Sequence, residues 1–300
     1  MPPNRLGVEV LSPLRDRVGE SPVWSEAEQT LFWVDIEGRS LRRHDLSTGV
    51  TRSWRSPERI GCIALRAGGG LIAGMESGLF AVDLPEAEEV AQTRLLQHVA
   101  HPREGMRFND GRCDRQGRFW ASTMVMDMAL GAADGALFRL DPQGLSAPLV
   151  DDLMTGNGLG FSPDGRVMYL SDSHPRVQRI WRFELDADGV PRQRREFVDM
   201  NHHPGCPDGG AVDAEGCYWI CGNDAGQVHR FTPEGKLDCS INLPVSKPAM
   251  CSFGGPGMEW LFVTSIVPAQ PVPGFDAALD GAVLVLRPGV GGIAETPFAA

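Results

Sequence analysis

The sequence predicts an all-β fold, a six-bladed β-propeller with a central channel. Two short β-rich segments form a pair, and the pair recurs six times at intervals of 40 to 50 residues. No stretch shows a sustained helical period with caps; residues 86–97 come nearest and suit a loop or a short helix. A β-sandwich of many short strands is the alternative, but it does not explain the regular spacing. We therefore expect residues 1–300 to form a single propeller domain.

The first segment of each pair starts with an aromatic or branched residue and ends with a small or polar one. These segments are residues 31–35, 71–74, 119–122, 168–171, 218–221 and 261–264. The second segments are residues 41–45, 79–83, 137–141, 180–184, 228–231 and 283–286, and most precede a glycine turn typical of hairpins. Residues 7–11 lack a partner in their own repeat. We expect them to pair with the last blade, because an open edge invites aggregation.

Composition limits the classes of function. With 42% hydrophobic residues the chain can fold around a core, and its net charge of −11 disfavours nucleic acid and anionic membranes. No apolar run reaches the roughly 20 residues of a membrane helix, and residues 1–5 do not resemble a signal peptide. The seven cysteines contain no Cys-x-x-Cys pair, so we expect reduced thiols. These features predict a cytoplasmic monomer or small homo-oligomer without a nucleic-acid or membrane partner.

Side-chain oxygens recur at one place in the repeat, ten or eleven residues before the first β-rich segment. The six positions are Glu20, Ile60, Asn109, Asn157, Asp208 and Cys251. Nearby glycines would let the backbone approach the channel axis closely. Oxygen donors from separate blades that meet at one point suit a divalent cation such as calcium, magnesium or manganese, with zinc possible. The alternative is that Asn-Gly and Asp-Gly are ordinary turn dipeptides.

Five motifs in order along the chain identify a resemblance. They are residues 19–24 (GESPVW), 107–111 (RFNDG), 157–159 (NGL), 207–209 (PDG) and 251–255 (CSFGG). Together they resemble the regucalcin/gluconolactonase family over residues 20–266. The resemblance implies a six-bladed propeller that hydrolyses sugar lactones with one divalent cation in its channel.

The resemblance also implies roles for individual residues. Glu20, Asn157 and Asp208 match the metal ligands, and Arg107 and Asn109 match substrate-binding residues, with Asn109 close enough to serve as a fourth ligand. Asp127 stands at the offset where the family often has a glutamate that contacts substrate hydroxyls. Aspartate is shorter than this glutamate, and residues 221–224 (Cys-Gly-Asn-Asp) also differ from the family pattern. Both differences would change the preferred sugar.

For catalysis we expect Asp208 to act as general base on water and Arg107 to clamp the carbonyl. A blade-to-blade salt bridge is the alternative role for Arg107. Asp172 and His174 could line the channel or cap a turn. The predicted reaction is hydrolysis of an aldono-1,4- or 1,5-lactone, such as glucono-, galactono- or arabinonolactone. Two other functions stay open: an arylesterase or phosphotriesterase of the diisopropyl-fluorophosphatase type, and a non-catalytic calcium-binding propeller.

Overall fold

The computed structural model describes residues 7–299, which form six antiparallel sheets arranged as the blades of a β-propeller. This confirms the predicted all-β fold. The inner strands contact one another in a closed ring, from the first blade through the sixth and back to the first. Residues 1–6 and 300 lie outside the described part, so the expectation about a signal peptide is not tested.

The strands follow the predicted repeat. The N-terminal strand and the first blade are β1 (Glu9–Val10), β2 (Gly19–Ser25), β3 (Thr30–Asp35), β4 (Ser40–Asp45) and β5 (Val50–Arg55). The second blade is β6 (Ile60–Leu65), β7 (Leu71–Met75), β8 (Gly78–Asp83) and β9 (Gln92–His98). The third is β10 (Met106–Cys113), β11 (Phe119–Val125), β12 (Gly135–Asp141), β13 (Gly144–Leu145) and β14 (Val150–Leu153).

The second half of the chain repeats this order. The fourth blade is β15 (Gly156–Phe161), β16 (Val167–Asp172), β17 (Arg179–Leu185) and β18 (Pro191–Asp199). The fifth is β19 (Cys206–Val212), β20 (Tyr218–Asn223), β21 (Gln227–Phe231) and β22 (Leu237–Asn242). The sixth is β23 (Pro248–Gly254), β24 (Trp260–Ser265) and β25 (Leu284–Leu286).

Helical structure in residues 7–299 is limited to three single-turn 3₁₀ helices, Met128–Leu130, Met200–His202 and Pro256–Met258. No helix in this part of the chain is long and apolar enough to cross a membrane. The expectation of a loop or short helix over residues 86–97 was wrong in its second half, which belongs to β9. Alternation of half-buried and exposed side chains along an outer strand leaves little hydrophobic pattern in the sequence.

The N-terminal strand closes the ring, as predicted. β1 pairs antiparallel with β25, with Glu9 opposite Val285 and Val10 opposite Leu284. It supplies the fourth strand of the sixth blade. The two ends of the chain are thereby joined in one sheet, which removes an edge that would otherwise be open.

Aromatic side chains pack between neighbouring blades. Trp24 stacks on Phe262 with 5.7 Å between ring centroids, which joins the first blade to the sixth. Two further interblade pairs are Trp120–Phe161 and Trp219–Phe253. Such pairs contribute about 0.5–1.5 kcal/mol beyond the burial of their surface. Trp24, Trp120 and Trp219 therefore lie in the core between blades, whereas Trp260 is only partly buried and packs under Arg287.

The chain after β25 closes the far end of the channel. Residues 288–299 cross the side where the inner strands end, and Phe298 donates its backbone N–H to the Leu65 carbonyl at 2.7 Å. An isolated bridge ties the same segment to the fifth blade. Glu295 reaches into the channel and pairs with Arg112 of β10 at 2.5 Å. The opposite end, where the inner strands begin, is the end that carries the cavity described next.

Candidate active site

A cavity of about 240 Å³ lies at the end of the channel where the inner strands begin. Its polar lining comes from residues far apart in the sequence, and five of the six predicted site residues are among them: Glu20, Arg107, Asn109, Asn157 and Asp208. Asn223 and Lys247 add an amide and an ammonium group. The propeller thus brings together side chains from four separate blades around one small space.

A register shift in each inner strand lies where these side chains enter the cavity. Glu20 and Asn157 are the last paired residues before the shift in their strands. Asn109 and Asp208 are the first residues after the last regular pair. All four residues nevertheless lie four positions before the residue that pairs with the start of the first β-rich segment, so the offset of eleven or ten reflects a hairpin turn that is one residue longer in two of the blades. Bulges of this kind redirect side chains and are frequent next to active sites.

Gly158 shows why glycine stands beside one of these positions. It follows Asn157 and has φ +60°, in the left-handed region that side chains rarely adopt. A Cβ there would also collide with the Tyr218 hydroxyl, which donates to the Gly158 carbonyl. Glycine therefore lets the fourth and fifth blades approach each other closely at the base of the cavity.

Two of the carboxylates that line the cavity, Glu20 and Asp208, are destabilised in their charged forms. Burial raises the pKa of Glu20 well above its usual range, and the nearby Asp208 and Asp110 carboxylates raise it further. Burial also raises the pKa of Asp208 to about 7, although a hydrogen bond from Asn223 opposes this. A positive charge placed between these acids would favour their ionised forms.

Asp110 adds a third buried carboxylate beneath the cavity. Its Oδ2 accepts the Leu159 N–H at 2.8 Å, while its Oδ1 is buried and has no hydrogen-bond partner among residues 7–299. Burial raises the pKa of this acid as well. In the sequence, Asp110 belongs to the RFNDG motif of residues 107–111, and nothing in that pattern distinguishes it from a turn residue. Only the fold shows how it increases the negative potential at Glu20 and Asp208.

A chain of hydrogen bonds connects Arg107, Asn109 and Asn157. The Arg107 guanidinium donates to Asn109 Oδ1 at 2.6 Å and to the Phe108 carbonyl at 2.8 Å. Asn109 Nδ2 donates to Asn157 Oδ1 at 3.1 Å. The Asn157 oxygen is therefore bonded by the third blade, and the Arg107 guanidinium is held by its own strand, β10. Arg107 forms no ion pair with a carboxylate within the described chain.

A second chain of contacts runs from Asp208 towards the mouth of the cavity. Asn223 Nδ2 donates to Asp208 Oδ2 at 2.6 Å, which leaves Oδ1 without a protein donor in the described structure. Lys247 Nζ lies 3.5 Å from Asn223 Oδ1 and forms an ion pair with Asp224. Lys247 was missed by the sequence analysis, because no repeat or motif marks the loop that carries it.

The remaining candidates lie elsewhere. Asp127 is exposed and caps the 3₁₀ helix 128–130 by accepting the Ala129 N–H at 3.1 Å, so it does not join the cavity cluster. Asp172 accepts three backbone N–H groups, including that of His174 at 3.0 Å. It therefore caps a turn, which was one of the two roles left open for it.

The donor set of the cavity fits a hard divalent cation. Within residues 7–299 no group of three or more His, Cys, Asp and Glu side chains is arranged to hold a metal. A cation at this site would use the Glu20 and Asp208 carboxylates together with amide oxygen from Asn157. Oxygen-only sets of this kind suit calcium, magnesium and manganese. The raised carboxyl pKa values are consistent with a site whose compensating charge is a bound cation.

Comparison with known proteins places the chain in a family. The profile of the family described as SMP-30/Gluconolactonase/LRE-like region matches residues 18–267. A 6-deoxy-6-sulfogluconolactonase of Pseudomonas putida is 38% identical over 94% of this chain and 95% of its own. Regucalcin of Danio rerio is 33% identical over 86% of both chains. The crystal structure of a calcium-binding protein, regucalcin of Agrobacterium tumefaciens, is 26% identical, with a TM-score of 0.88 over 98% of each chain. The chain belongs to the SMP-30/gluconolactonase family.

Proposed function

We propose that this protein is a divalent-metal-dependent lactonase that hydrolyses a sugar lactone to the aldonic acid. The observation that carries the proposal is the convergence of Glu20, Asn157 and Asp208 with Arg107 and Asn109 in one cavity. Membership of the gluconolactonase family supports it, as does the relative named as a sulfogluconolactonase. The substrates considered are glucono-, galactono- and arabinono-lactones, together with sulfonated sugar lactones.

Glu20, Asn157 and Asp208 would hold one divalent cation, calcium, zinc, manganese or magnesium. When bound, such an ion polarises an ester carbonyl as a Lewis acid and lowers the pKa of water. Two carboxylates balance the charge of the ion and leave room for further oxygen ligands. Similarity to a protein named as calcium-binding supports calcium as one candidate.

Asp208 would act as the general base. Its Oδ2 is held by Asn223, and its Oδ1 is available to take a proton from the attacking water. The water oxygen would bond to the lactone carbonyl carbon. The bond to the ring oxygen would then break, and the ring oxygen would take up a proton and leave as a hydroxyl of the aldonic acid. A bound cation would favour the ionised form of Asp208, which is the form that accepts the proton.

Arg107 and Asn109 would bind and orient the lactone. The guanidinium offers several fixed donors to the carbonyl oxygen as negative charge develops on it. Asn109 holds Arg107 in place and could accept a sugar hydroxyl only on the second lone pair of its Oδ1, because its Nδ2 already donates to the Gly156 carbonyl and to Asn157 Oδ1. Asp127, exposed on the connection that also carries the cavity residue Met128, would contact substrate hydroxyls only at the rim.

The two alternative functions, an arylesterase or phosphotriesterase and a calcium-binding propeller, would make different demands on the cavity. An arylesterase or phosphotriesterase would use the apolar part of the lining, which includes Ile36, Met128 and Ile266, for its leaving group. The family match and the relative named as a sulfogluconolactonase favour a lactone instead. A purely calcium-binding propeller would need neither Arg107 nor a base with a free oxygen. Both functions are therefore less well supported than hydrolysis of a polar lactone.

The proposal is tested by pH-stat hydrolysis after chelation and re-addition of each cation. The panel contains glucono-1,5-lactone, galactono-1,4-lactone, arabinono-1,4-lactone and paraoxon, with Asp208→Asn, Asn157→Ala and the exposed control Asn201→Ala. We expect lactone turnover that depends on the cation, is lost in the first two variants and is kept in the control. Near wild-type rates in both site variants, or turnover of paraoxon alone, would contradict the proposal.

A further inference from the structure

We propose that Lys247 binds an anionic substituent of the substrate, so that the preferred sugar lactones carry a sulfonate, phosphate or carboxylate group remote from the ring carbonyl. This inference rests on the proposed lactonase function and adds a substrate class to it. The chemistry that Lys247 would recognise is a negatively charged oxygen group.

Lys247 is one of only two lysines in the sequence, and it is the one that lines the cavity. The sequence has 28 basic residues, but only Lys236 and Lys247 are lysines. Lys236 is exposed on the turn before β22, whereas Lys247 stands directly before β23 and lines the cavity. Its side chain retains 27% exposure. A flexible, partly solvated ammonium at the mouth of a cavity can turn towards a ligand with little loss of packing.

The Lys247 ammonium lies near Asp208, the proposed general base, and is connected to it through the Asn223 amide. It is separated from Asp208 by two contacts and the width of one amide: Lys247 to Asn223 at 3.5 Å and Asn223 to Asp208 at 2.6 Å. In a hexono-1,5-lactone only the ring oxygen and C5 separate the carbonyl carbon from the last carbon, so this path would be spanned by the lactone together with its anionic group and the hydrogen bonds at each end. A lactone whose carbonyl lies beside Asp208 could therefore present a terminal anionic group to Lys247.

Lys247 also has donors to spare. An ammonium has three N–H donors, and the 3.5 Å contact with Asn223 is too long to engage one of them strongly. Its ion pair with Asp224 involves a carboxylate with 57% exposure, and pairs of this kind contribute little. Arg107, the other cation lining the cavity, is already held by Asn109 and the Phe108 carbonyl.

The charges of the cavity decide what an anionic substituent would meet once the metal site is filled. A divalent cation would offset the Glu20 and Asp208 carboxylates, and Arg107 would offset the buried Asp110. Lys247 and Asp224 then remain as an ion pair at the mouth. An anionic substituent would compete for the ammonium with Asp224, whose carboxylate is 57% exposed.

The test compares kcat/KM for three lactones of the same ring: glucono-1,5-lactone, its 6-phosphate and its 6-deoxy-6-sulfonate. The full-length protein is assayed with its best cation as wild type, Lys247→Met, Lys247→Arg and Asp224→Asn, with Lys236→Met as the matched control. The measured quantity is the ratio of anionic to neutral kcat/KM, which cancels any general loss of activity. Comparing sulfonate with phosphate identifies which anion is preferred.

We expect wild type to favour an anionic lactone at least about tenfold, and Lys247→Met to lower that ratio about 10- to 100-fold, as for loss of a charge-assisted hydrogen bond. Lys247→Arg should keep most of the preference, and Asp224→Asn should increase it by freeing the ammonium. Lys236→Met should match wild type. A ratio near one in wild type, or an unchanged ratio in Lys247→Met, would overturn the assignment of Lys247 alone. No turnover of any lactone would instead contradict the proposed function.

Discussion

Asn109 Nδ2 donates a hydrogen bond to Asn157 Oδ1 over 3.1 Å and links the third blade to the fourth at the cavity. The two residues are 48 positions apart in the sequence. Because Asn109 also accepts the Arg107 guanidinium at 2.6 Å, one amide orients both a candidate metal ligand and the candidate substrate clamp. The predictions below follow from this shared orientation and from the charges around it.

Substitution Asn109→Ala removes these two bonds and a third, from Asn109 Nδ2 to the Gly156 carbonyl, while leaving the Glu20 and Asp208 carboxylates in place. Loss of hydrogen bonds to a charged partner and to a ligand typically costs about 1.5–3 kcal/mol. We therefore expect lactone kcat/KM to fall about 10- to 100-fold, with a smaller loss of cation affinity than in Asn157→Ala. Steady-state kinetics and calorimetric titration measure the two effects. Values within twofold of the Asn201→Ala control would show that Asn109 orients neither neighbour.

Substitution Asp208→Asn should separate activity from stability. The variant loses the general base and a metal ligand, so we expect hydrolysis to fall by about 1,000-fold or more. It also removes a buried carboxylate near Glu20 and Asp110, and an amide oxygen can still accept from Asn223. Without metal, the variant should therefore be more stable than wild type by about 1–3 kcal/mol. Thermal unfolding in chelator measures this, and a lower Tm than wild type would refute the electrostatic explanation.

The pH dependence of stability has a defined sign. Folded pKa values of Glu20 and Asp208 lie above their ordinary values of 4.5 and 3.8, so the folded metal-free protein holds extra protons at intermediate pH. These protons make their full contribution to the free energy of unfolding below about pH 4. The contribution is lost as the pH rises through the pKa values of the folded protein, about 7 for Asp208.

We therefore expect the stability of wild type relative to Asp208→Asn, measured in chelator, to decrease between pH 5 and pH 8. Saturating cation should abolish the decrease, and cation affinity should increase over the same range because protons no longer compete. Chemical denaturation at several pH values, with and without the cation, tests both points. A difference between the two proteins that does not change with pH would contradict the assigned pKa directions.

The C-terminal segment should stabilise the whole ring. Glu295→Gln would leave the Arg112 guanidinium, only 10% exposed in its side chain, without its carboxylate partner. Breaking such a buried pair is expected to cost about 2–4 kcal/mol. The exposed control Glu259→Gln should change stability by less than about 0.5 kcal/mol.

Because β1 and the C-terminal segment join separate blades, we propose that the propeller is one folding unit. We expect a single unfolding transition by calorimetry, and two separated transitions would contradict this.

The repeat made the fold predictable from the sequence. Paired β-rich segments recur at a nearly constant period, and the unpaired residues 7–11 required a partner that the last blade supplied. The cavity position of Glu20 and Asp208 followed from the same period, since equivalent residues of a ring face a common axis. The one-residue discrepancy in offset could be interpreted only from the strand pairing, which shows that the hairpin turns differ in length by one residue.

Features that do not repeat escaped the sequence analysis. Lys247 lies in a loop whose length and composition are particular to one blade, and Asp110 is distinguished from a turn residue only by its burial. Residues 288–299 cross the channel through contacts with separate blades, which no local pattern encodes. Asp127 was predicted to contact substrate hydroxyls because it stands at the offset where the family often has a glutamate. The turn that follows it directs its carboxylate to the Ala129 N–H instead.

The central claim is that Glu20, Asn157 and Asp208 hold one divalent cation, and anomalous diffraction tests it most directly. Crystals grown with manganese and measured near its absorption edge should show a single strong peak in the cavity. Oxygen atoms of all three side chains should lie about 2.0–2.6 Å from that peak. A cavity without anomalous density at saturating manganese, with the Glu20 and Asp208 carboxylates turned away from each other, would contradict the account.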